Sequence, residues 1–300
     1  IRSWLRDNPE ARLVSVSQND SFVIGSYCTC PACRAVNEEE GAPSGSLIRF
    51  VNAVAEALES EFPEVTFDTL AYQYSTQPPK LTHPRHNVAI RMCTGGCSSH
   101  PIPDCANNAG SADAIRGWSQ ICRHLYIWDY TTDFAQYLNP YPNFQTLQDN
   151  IRFFRDHNVC GVFEQGNYNE GLSGEFGELR AYLLANLLWN PEFDVESGTE
   201  SFLNAYYGGG APYVRQYLTF IRDKVRDVHF NLVISAAALW NDLISDEELT
   251  MLDRLWADAY RAAREGGDVP DGISSALCAA HGQTGQNLSL IHISEPTRPY

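Results

Sequence analysis

The sequence lacks any run of about 18 apolar residues, the length at which a segment is read as a transmembrane helix, so no membrane span is predicted. Basic residues are also scarce, because 21 Lys and Arg stand against 37 Asp and Glu and give a formal net charge of −16. A nucleic-acid backbone needs a basic surface, and this acidity therefore excludes nucleic acid as a partner.

Nucleotide-binding motifs are missing too. The G-x-G-x-x-G spacing of dinucleotide-binding folds and the phosphate-binding loop occur nowhere in the chain. What the chain does have is 44% hydrophobic and 12% aromatic residues, which is enough to bury a core. These features predict a folded chain and exclude wholesale disorder.

Both ends of the chain look interrupted. It begins at Ile1 inside a helical pattern, without an initiator methionine or a signal peptide, which predicts a fragment. Residues 288–300 (LSLIHISEPTRPY) resemble the translation of a sequencing adapter. We expect that tail to be non-native and to take no part in the fold.

Five short segments rich in β-branched and aromatic residues are predicted strands, each followed by polar residues. They cover residues 12–17, 65–74, 87–92, 124–130 and 159–164. Helical patterns lie between them, at residues 46–62, 111–122, 143–157 and 175–189. Ser111 and Asn143 are the predicted caps of two of these helices. Strand–helix alternation of this kind predicts an α/β fold with a parallel sheet.

The sheet could be an open doubly wound sheet or part of a barrel. Because the dinucleotide fingerprint is missing, we favour the C-terminal part of a (β/α)8 TIM-type barrel over residues 1–194. Residues 195–287 carry helical patterns alone, at 199–207, 213–228 and 246–265, with 231–240 adding a turn or two. This second region is predicted to be an all-α extension.

Polar and aromatic side chains follow the predicted strands, where parallel α/β folds bind their ligands. Aromatic rings stack on sugar rings while amides and carboxylates bond the hydroxyl groups, so this composition favours a sugar site. The candidates for substrate binding are Gln18, Tyr72, Tyr74, His100, Trp128, Tyr130, Gln165 and Asn167.

Three further residues are candidates for catalysis. Two carboxylates can act as acid plus nucleophile or as acid plus base. Alternatively one carboxyl acts as the acid while the acetamide of the substrate attacks, a scheme that suits Asp20 as acid and Asn19 as the residue that orients the acetamide. Glu164 could serve in either scheme. The structural alternatives are a turn cap for Asp20 and an ion pair for Glu164.

The cysteines form a second group of interest. Cys28, Cys30 and Cys33 lie within six residues, and C-x-C-x-x-C plus one more Cys or His can bind a tetrahedral zinc ion. Cys93, Cys97 and Cys105 follow the third strand, with His100 among them. A structural zinc and ordinary thiols or a disulfide both remain open, whereas a catalytic zinc is not expected because it needs an open coordination position.

A run of linked motifs resembles domain of unknown function 4838, a family associated with glycoside hydrolase family 163. The motifs include SVSQND, YCTCPAC, DTLAYQYSTQPP, LYIWDYTTDFAQYL and GVFEQGNY, and they extend over roughly residues 1–225. The resemblance implies a (β/α)8 barrel that hydrolyses β-linked N-acetylglucosamine in N-glycans by acetamide-assisted retention. It also implies a bacterial, exported enzyme with a glycan substrate and no catalytic cofactor.

Other functions fit the same residues. One is a different glycosidase, such as one acting on glycans that contain uronic acid, and another is a sugar-binding barrel without catalysis. A third is an interaction module stabilised by zinc. Because the strands that would precede residue 1 in a barrel are not in the sequence, we expect this 300-residue chain to be inactive as it stands.

Overall fold

A computed structural model describes residues 1–20, 26–137, 139–168, 174–231, 240 and 242–265. The chain divides into two compact units. The first comprises Ile1–Gly95, Asn108–Asp129 and Arg152–Glu164, and the second comprises Gly96–Asn107, Tyr130–Ile151 and Gln165–Tyr300. The predicted tail at 288–300 and the predicted helical piece at 231–240, apart from its two end residues, lie outside the described residues.

The first unit is built on a parallel sheet of five strands in the order β1-β2-β3-β4-β5. The strands are β1 (Leu13–Ser15), β2 (Thr66–Ala71), β3 (Val88–Cys93), β4 (His124–Tyr130) and β5 (Val159–Gln165). Burial alternates along β4. Leu125, Ile127 and Asp129 are buried, whereas His124, Tyr126, Trp128 and Tyr130 are half-buried. One face of this strand therefore packs against the core and the other is partly open.

Helices lie between most of these strands along the chain. The first unit contains α1 (Arg2–Asp7), α2 (Pro31–Glu40), α3 (Ser44–Glu59) and α4 (Ala109–Ile121), while α5 (Leu147–Asp156) contributes residues to both units. Helix α3 packs against β2 and β3. The core of this unit includes the fully buried side chains Phe67, Ile90, Met92, Ile115, Trp118, Leu125 and Ile127.

The described part of the second unit is mostly helical. It contains α6 (Gly177–Trp189), α7 (Val195–Tyr207), α8 (Ala211–Lys224) and α9 (Asp246–Glu265). Three aromatic rings meet in its core, with ring centroids 5.2 Å apart for Tyr217 and Trp256 and 5.8 Å apart for Phe176 and Tyr217. A Cβ atom at Gly209 would lie 2.5 Å from the backbone oxygen of Ala262, so glycine lets α9 approach this turn closely.

The predicted α/β class with a parallel sheet is confirmed, and all five predicted strands are present. In the described part of the chain the sheet is open. The second strand is shorter than predicted, because a 3-10 turn (Gln73–Ser75) follows β2. No helix among the described residues combines the length and the apolar character that crossing a membrane requires.

Both predicted helix caps are wrong. The hydroxyl group of Ser111 donates to the backbone oxygen of Gly95 at 2.7 Å, and the helix starts earlier, at Ala109. The side-chain oxygen of Asn143 accepts instead from Arg180, and α5 starts four residues later. In each case the side chain that the local pattern assigns to a helix cap instead forms a hydrogen bond with a residue distant in sequence.

Helix α2 was missed by the sequence prediction, although its boundary signals are present. Cys30 is its N-cap, Pro31 occupies the first turn, and Gly41 ends it with φ of 70°. From sequence, the C-T-C-P-A-C stretch is treated only as a metal motif, and this helix is therefore not predicted.

Candidate active site

Two carboxyl groups meet at the carboxyl end of the sheet. Asp129 is the next-to-last residue of β4, and Glu164 is the next-to-last residue of the neighbouring β5. Their side chains are hydrogen-bonded to one another. This is the edge of a parallel sheet at which such folds bind their ligands.

Glu164 is in an environment that favours its protonated form. The residue is half-buried, and its Oε2 atom is buried without a hydrogen-bond partner in the described structure. Burial raises the pKa of Glu164 well above its ordinary value, and the charge and the hydrogen bond of Asp129 raise it further. Because both groups cannot easily ionise side by side, we assign the proton that the pair retains to Glu164.

Asp129 is held in place by the neighbouring strand. The hydroxyl group of Thr94 donates a hydrogen bond to Oδ1 of Asp129, and the backbone N–H of Thr94 donates to the Trp128 oxygen at 3.0 Å. Thr94 directly follows β3, so three consecutive strands contribute to the carboxyl pair. A hydroxyl donor stabilises the ionised form of Asp129, which fits Glu164 as the protonated partner.

The other face of the sheet carries aromatic and charged side chains. The rings of Trp128 and Phe163 meet edge to face with centroids 5.1 Å apart, and Phe163 is 50% exposed. The guanidinium of Arg91 lies 5.9 Å from the Trp128 ring centroid and pairs with Asp68 at 2.8 Å. Since Trp128 and Asp129 are adjacent in a strand, this surface and the carboxyl pair leave β4 in opposite directions.

The predicted catalytic residues after β1 lie elsewhere in the first unit. Asn19 and Asp20 are exposed, and no hydrogen bond among the described residues joins Asp20 to Glu164. β1 and β5 are opposite edges of the sheet, four strand spacings or roughly 19 Å apart along it. The roles assigned to Asn19 and Asp20 therefore stay predictions.

The residues near the second strand that are predicted to bind sugar form contacts in and around a turn. The amide nitrogen of Gln18 donates to Ser75 Oγ at 2.8 Å, and Tyr72 caps the 3-10 turn that Ser75 closes. The ring of Tyr74 lies 5.3 Å from that of Tyr27, and burial raises the pKa of Tyr74. Their sugar-binding role stays a prediction.

In the second unit, aromatic rings form a row. Ring centroids are 6.0 Å apart for Tyr130 and Phe134, 6.0 Å for Phe134 and Tyr137, and 5.7 Å for Tyr137 and Tyr168. Tyr168 is 87% exposed. Of the other predicted binding residues in this unit, Asn167 faces Gly174, and the backbone oxygen of Gln165 accepts from Thr131. The sugar-binding roles predicted for Tyr130, Gln165 and Asn167 are not tested by these contacts.

His100 belongs to a group of thiols and imidazoles in the second unit. Its Nδ1 atom lies 3.5 Å from Cys97 Sγ, and its ring stacks on that of His229 with centroids 4.2 Å apart. Burial raises the pKa of the Cys97 thiol, but hydrogen bonds from Ser99, His100 and His229 outweigh burial and lower it to about 6. The sugar-binding role predicted for His100 is not tested by this placement.

The predicted metal residues of the first unit do come together. The sulfur atoms of Cys28, Cys30 and Cys33 all lie within 4.8 Å of one another, at the start of α2. The backbone N–H of Cys33 is the largest of the interactions that lower the pKa of Cys30 to about 7. Three thiols in this arrangement can hold a metal ion.

Sequence reasoning missed two partners in these groups. Asp129 lies in the same strand as Trp128, and the sequence gives it no specific role because nothing local pairs it with Glu164. His229 lies 124 residues beyond Cys105 and carries no motif of its own. Only the folded chain brings these residues together.

Comparison with known proteins identifies a family. A sequence model of the family described as "Domain of unknown function (DUF4838)" matches residues 1–219. No curated protein matches the chain.

Proposed function

The chain belongs to the DUF4838 family, and we propose that it has the active site of a glycoside hydrolase acting on N-acetylglucosamine-containing glycans such as N-glycans. Glu164 is the general acid in this proposal, and Asp129 is its partner. The observation that carries the proposal is the raised pKa of Glu164 beside Asp129 at the carboxyl end of two neighbouring strands. A carboxyl group that keeps its proton near neutral pH can protonate the leaving oxygen of a glycosidic bond.

The closeness of the two carboxyl groups favours acetamide assistance. A retaining enzyme with a carboxylate nucleophile needs its two carboxyl groups about 5–5.5 Å apart, and an inverting one needs a wider gap. Groups that share a hydrogen bond, as Asp129 and Glu164 do, are closer than that. The substrate acetamide then supplies the nucleophile, and the Asp129 carboxylate can orient or stabilise it.

The fold proposed for this site is part of a (β/α)8 barrel followed by a helical extension. Each strand pairs with its neighbours in sequence, β1 through β5, without a reversal of order. Doubly wound sheets reverse strand order at a switch point, whereas barrels do not. The strictly sequential order therefore supports the barrel. Export of the protein is a separate proposal, which rests on the resemblance to the family.

A glycan-binding protein without catalysis is the second candidate. Trp128 and Asp129 leave β4 in opposite directions, so a sugar stacked on the Trp128–Phe163 surface would face Arg91 and Asp68, not Glu164. In that case the carboxyl pair is structural. The two candidates differ in whether replacing Glu164 changes bond cleavage.

A zinc ion at Cys28, Cys30 and Cys33 is the cofactor proposal that follows from sequence. The three thiols supply three ligands, and the fourth position of a tetrahedral ion would be filled by water or another residue. This ion has no part in the proposed cleavage step.

Two measurements test the proposed function. Calorimetric titration of this chain with an N-glycan tests recognition, with a glycan containing uronic acid as the alternative ligand. Hydrolysis is measured in a longer DUF4838 protein by mass spectrometry of the released glycan, before and after the glutamate aligned with Glu164 is changed to Gln. Lost cleavage with retained binding supports the hydrolase, and unchanged cleavage removes Glu164 as the acid. Binding without cleavage in either protein favours the second candidate.

A further inference from the structure

Four side chains of the types that bind metal ions converge in the second unit, and none of them is part of the proposed active site. They are Cys97, His100, Cys105 and His229, and their ligand atoms all lie within 4.8 Å of one another. Cys97 Sγ is 3.5 Å from His100 Nδ1 and 3.7 Å from His229 Nδ1, and Cys105 Sγ is 3.3 Å from His229 Nδ1. Two thiols and two imidazoles are one of the common ligand sets of structural zinc.

Three of the six spacings between these atoms match the edges of a zinc tetrahedron. With Zn–S near 2.3 Å and Zn–N near 2.0–2.1 Å, tetrahedral geometry sets sulfur and nitrogen ligands about 3.6 Å apart. The three sulfur–nitrogen distances, from 3.3 to 3.7 Å, scatter around that value. We propose that Cys97, His100, Cys105 and His229 bind one structural zinc ion.

The surroundings of His100 select the nitrogen that faces the ion. His100 Nε2 lies 2.9 Å from the backbone oxygen of Arg226. A carbonyl can only accept, so Nε2 carries a proton, and Nδ1 is the ring nitrogen that is left to bind a metal ion. Histidine ligands of metals commonly donate their second nitrogen to a carbonyl in this way, which fixes the ring.

Ser99 supports the same arrangement. Its hydroxyl donates to the backbone oxygen of Val228 at 2.6 Å, and the same oxygen atom lies 3.2 Å from Cys97 Sγ and 2.9 Å from His100 Nδ1. The backbone N–H of Ser98 donates to the oxygen of Phe230 at 2.8 Å. The segment that carries the first two ligands is thus already tied to the segment that carries His229.

The proposed ion would cross-link two segments that are far apart in sequence. His229 is separated by 132 residues from Cys97 and by 124 from Cys105. Cys97 and Cys105 are buried, and a buried thiolate needs a positive charge nearby. With four protein ligands no position is left for substrate, so the ion is expected to stabilise this unit and not to catalyse.

The first test is the zinc content of the 300-residue chain, purified without chelator and measured by mass spectrometry of the metal. We expect Cys97→Ser and His229→Gln each to lower the zinc content by one equivalent. Matched controls are Cys160→Ser and His86→Gln, which replace exposed residues outside the cluster and are expected to leave the content unchanged. The triple variant Cys28→Ser, Cys30→Ser, Cys33→Ser removes the other group of thiols. Zinc that remains in this variant is therefore not bound by that group.

A second test does not depend on the folding of the variants. The wild-type chain is stripped of metal under reducing conditions and titrated with Co²⁺, whose visible spectrum reports tetrahedral coordination and thiolate ligation. We expect both signatures and a lower Tm after metal removal. A wild-type chain without tetrahedral cobalt bands would overturn the proposal, as would a Cys97–Cys105 disulfide in the purified protein or zinc content unaffected by Cys97→Ser and His229→Gln.

Discussion

The carboxyl groups of Glu164 and Asp129 share a hydrogen bond across two neighbouring parallel strands. Thr94 donates to Asp129 from the other side, so the proton donors around the pair stabilise Asp129 as the anion and leave the proton on Glu164. A buried acid whose pKa is raised destabilises the fold when it ionises, and this loss of stability can be measured.

The first prediction concerns the pH dependence of stability. The pKa of Glu164 is raised in the folded chain by burial and by Asp129, so the folded state binds this proton more tightly than the unfolded state. Its contribution to stability is complete below the ordinary value of 4.5 and is lost as the pH rises through the folded pKa. Each unit of pKa difference corresponds to about 1.4 kcal/mol.

Glu164→Gln removes this dependence, because glutamine mimics the protonated acid and does not titrate. We expect the free energy of unfolding in urea to fall less steeply above pH 4.5 in this variant than in the wild type. Glu56→Gln, which changes an exposed glutamate of the same unit, is the control. Parallel pH profiles for the wild type and Glu164→Gln would show that Glu164 titrates normally.

The second prediction concerns Glu40, the last residue of α2. Its fully buried carboxylate accepts from the backbone N–H groups of Leu81 and Thr82 at 2.9 and 3.0 Å and from Arg49. Burial raises its pKa, but these hydrogen bonds and that of the Thr82 hydroxyl outweigh burial and lower the pKa to about 2. The stabilisation is present above pH 4.5 and is lost as the pH falls toward 2.

Glu40→Gln should therefore lower the free energy of unfolding at neutral pH by roughly 3 kcal/mol, measured by urea denaturation. The adjacent Glu39 also pairs with Arg49 but is 57% exposed, so Glu39→Gln is the matched control and should change stability by less than about 0.5 kcal/mol. Equal effects of the two substitutions would contradict the assignment.

The third prediction concerns a buried ion pair of the second unit. Arg180 lies 3.1 Å from Glu175, donates to the backbone oxygen of Tyr141, and stacks on Phe144 at 4.7 Å. Burial raises the pKa of Glu175, and Arg180 opposes that rise. Removing the guanidinium leaves a buried carboxyl without its positive partner.

Arg180→Met should lower the stability by about 3–5 kcal/mol, measured by chemical denaturation. Arg222→Met, at an exposed arginine of the same unit, should cost less than about 0.5 kcal/mol. The double variant Arg180→Met, Glu175→Leu should recover part of the loss because no unpaired acid remains. A neutral result for Arg180→Met alone would mean that the pair contributes nothing to the fold.

The sheet could be predicted from sequence because its signals are local. The runs that form β4 and β5 are short, rich in aromatic or β-branched residues, and bounded by polar residues, and both strands begin where predicted. Helix α9 matches its predicted bounds for the same reason, since its apolar residues recur at helical spacing.

The site was less accessible to sequence reasoning because its contacts are distant in the chain. Glu164 was singled out from its place after a strand, but its partner Asp129 lies 35 residues earlier on another strand. The cluster around His100 is a similar case, because C-x-x-H is visible in sequence and His229 is not. Distant contacts also explain the wrong helix caps. The side chains of Ser111 and Asn143, which local patterns assign to caps, form hydrogen bonds with Gly95 and Arg180 instead.

The central claim, that Glu164 beside Asp129 is the acid of a glycoside hydrolase, is tested most directly by one cleavage measurement. A longer DUF4838 protein is incubated with an N-glycan, and the released sugar is quantified for the wild type and for the variant with Gln at the position of Glu164. The account predicts a loss of roughly 10²–10⁴-fold in turnover, the usual contribution of a general acid, with glycan binding retained. Equal turnover in the two proteins would contradict it.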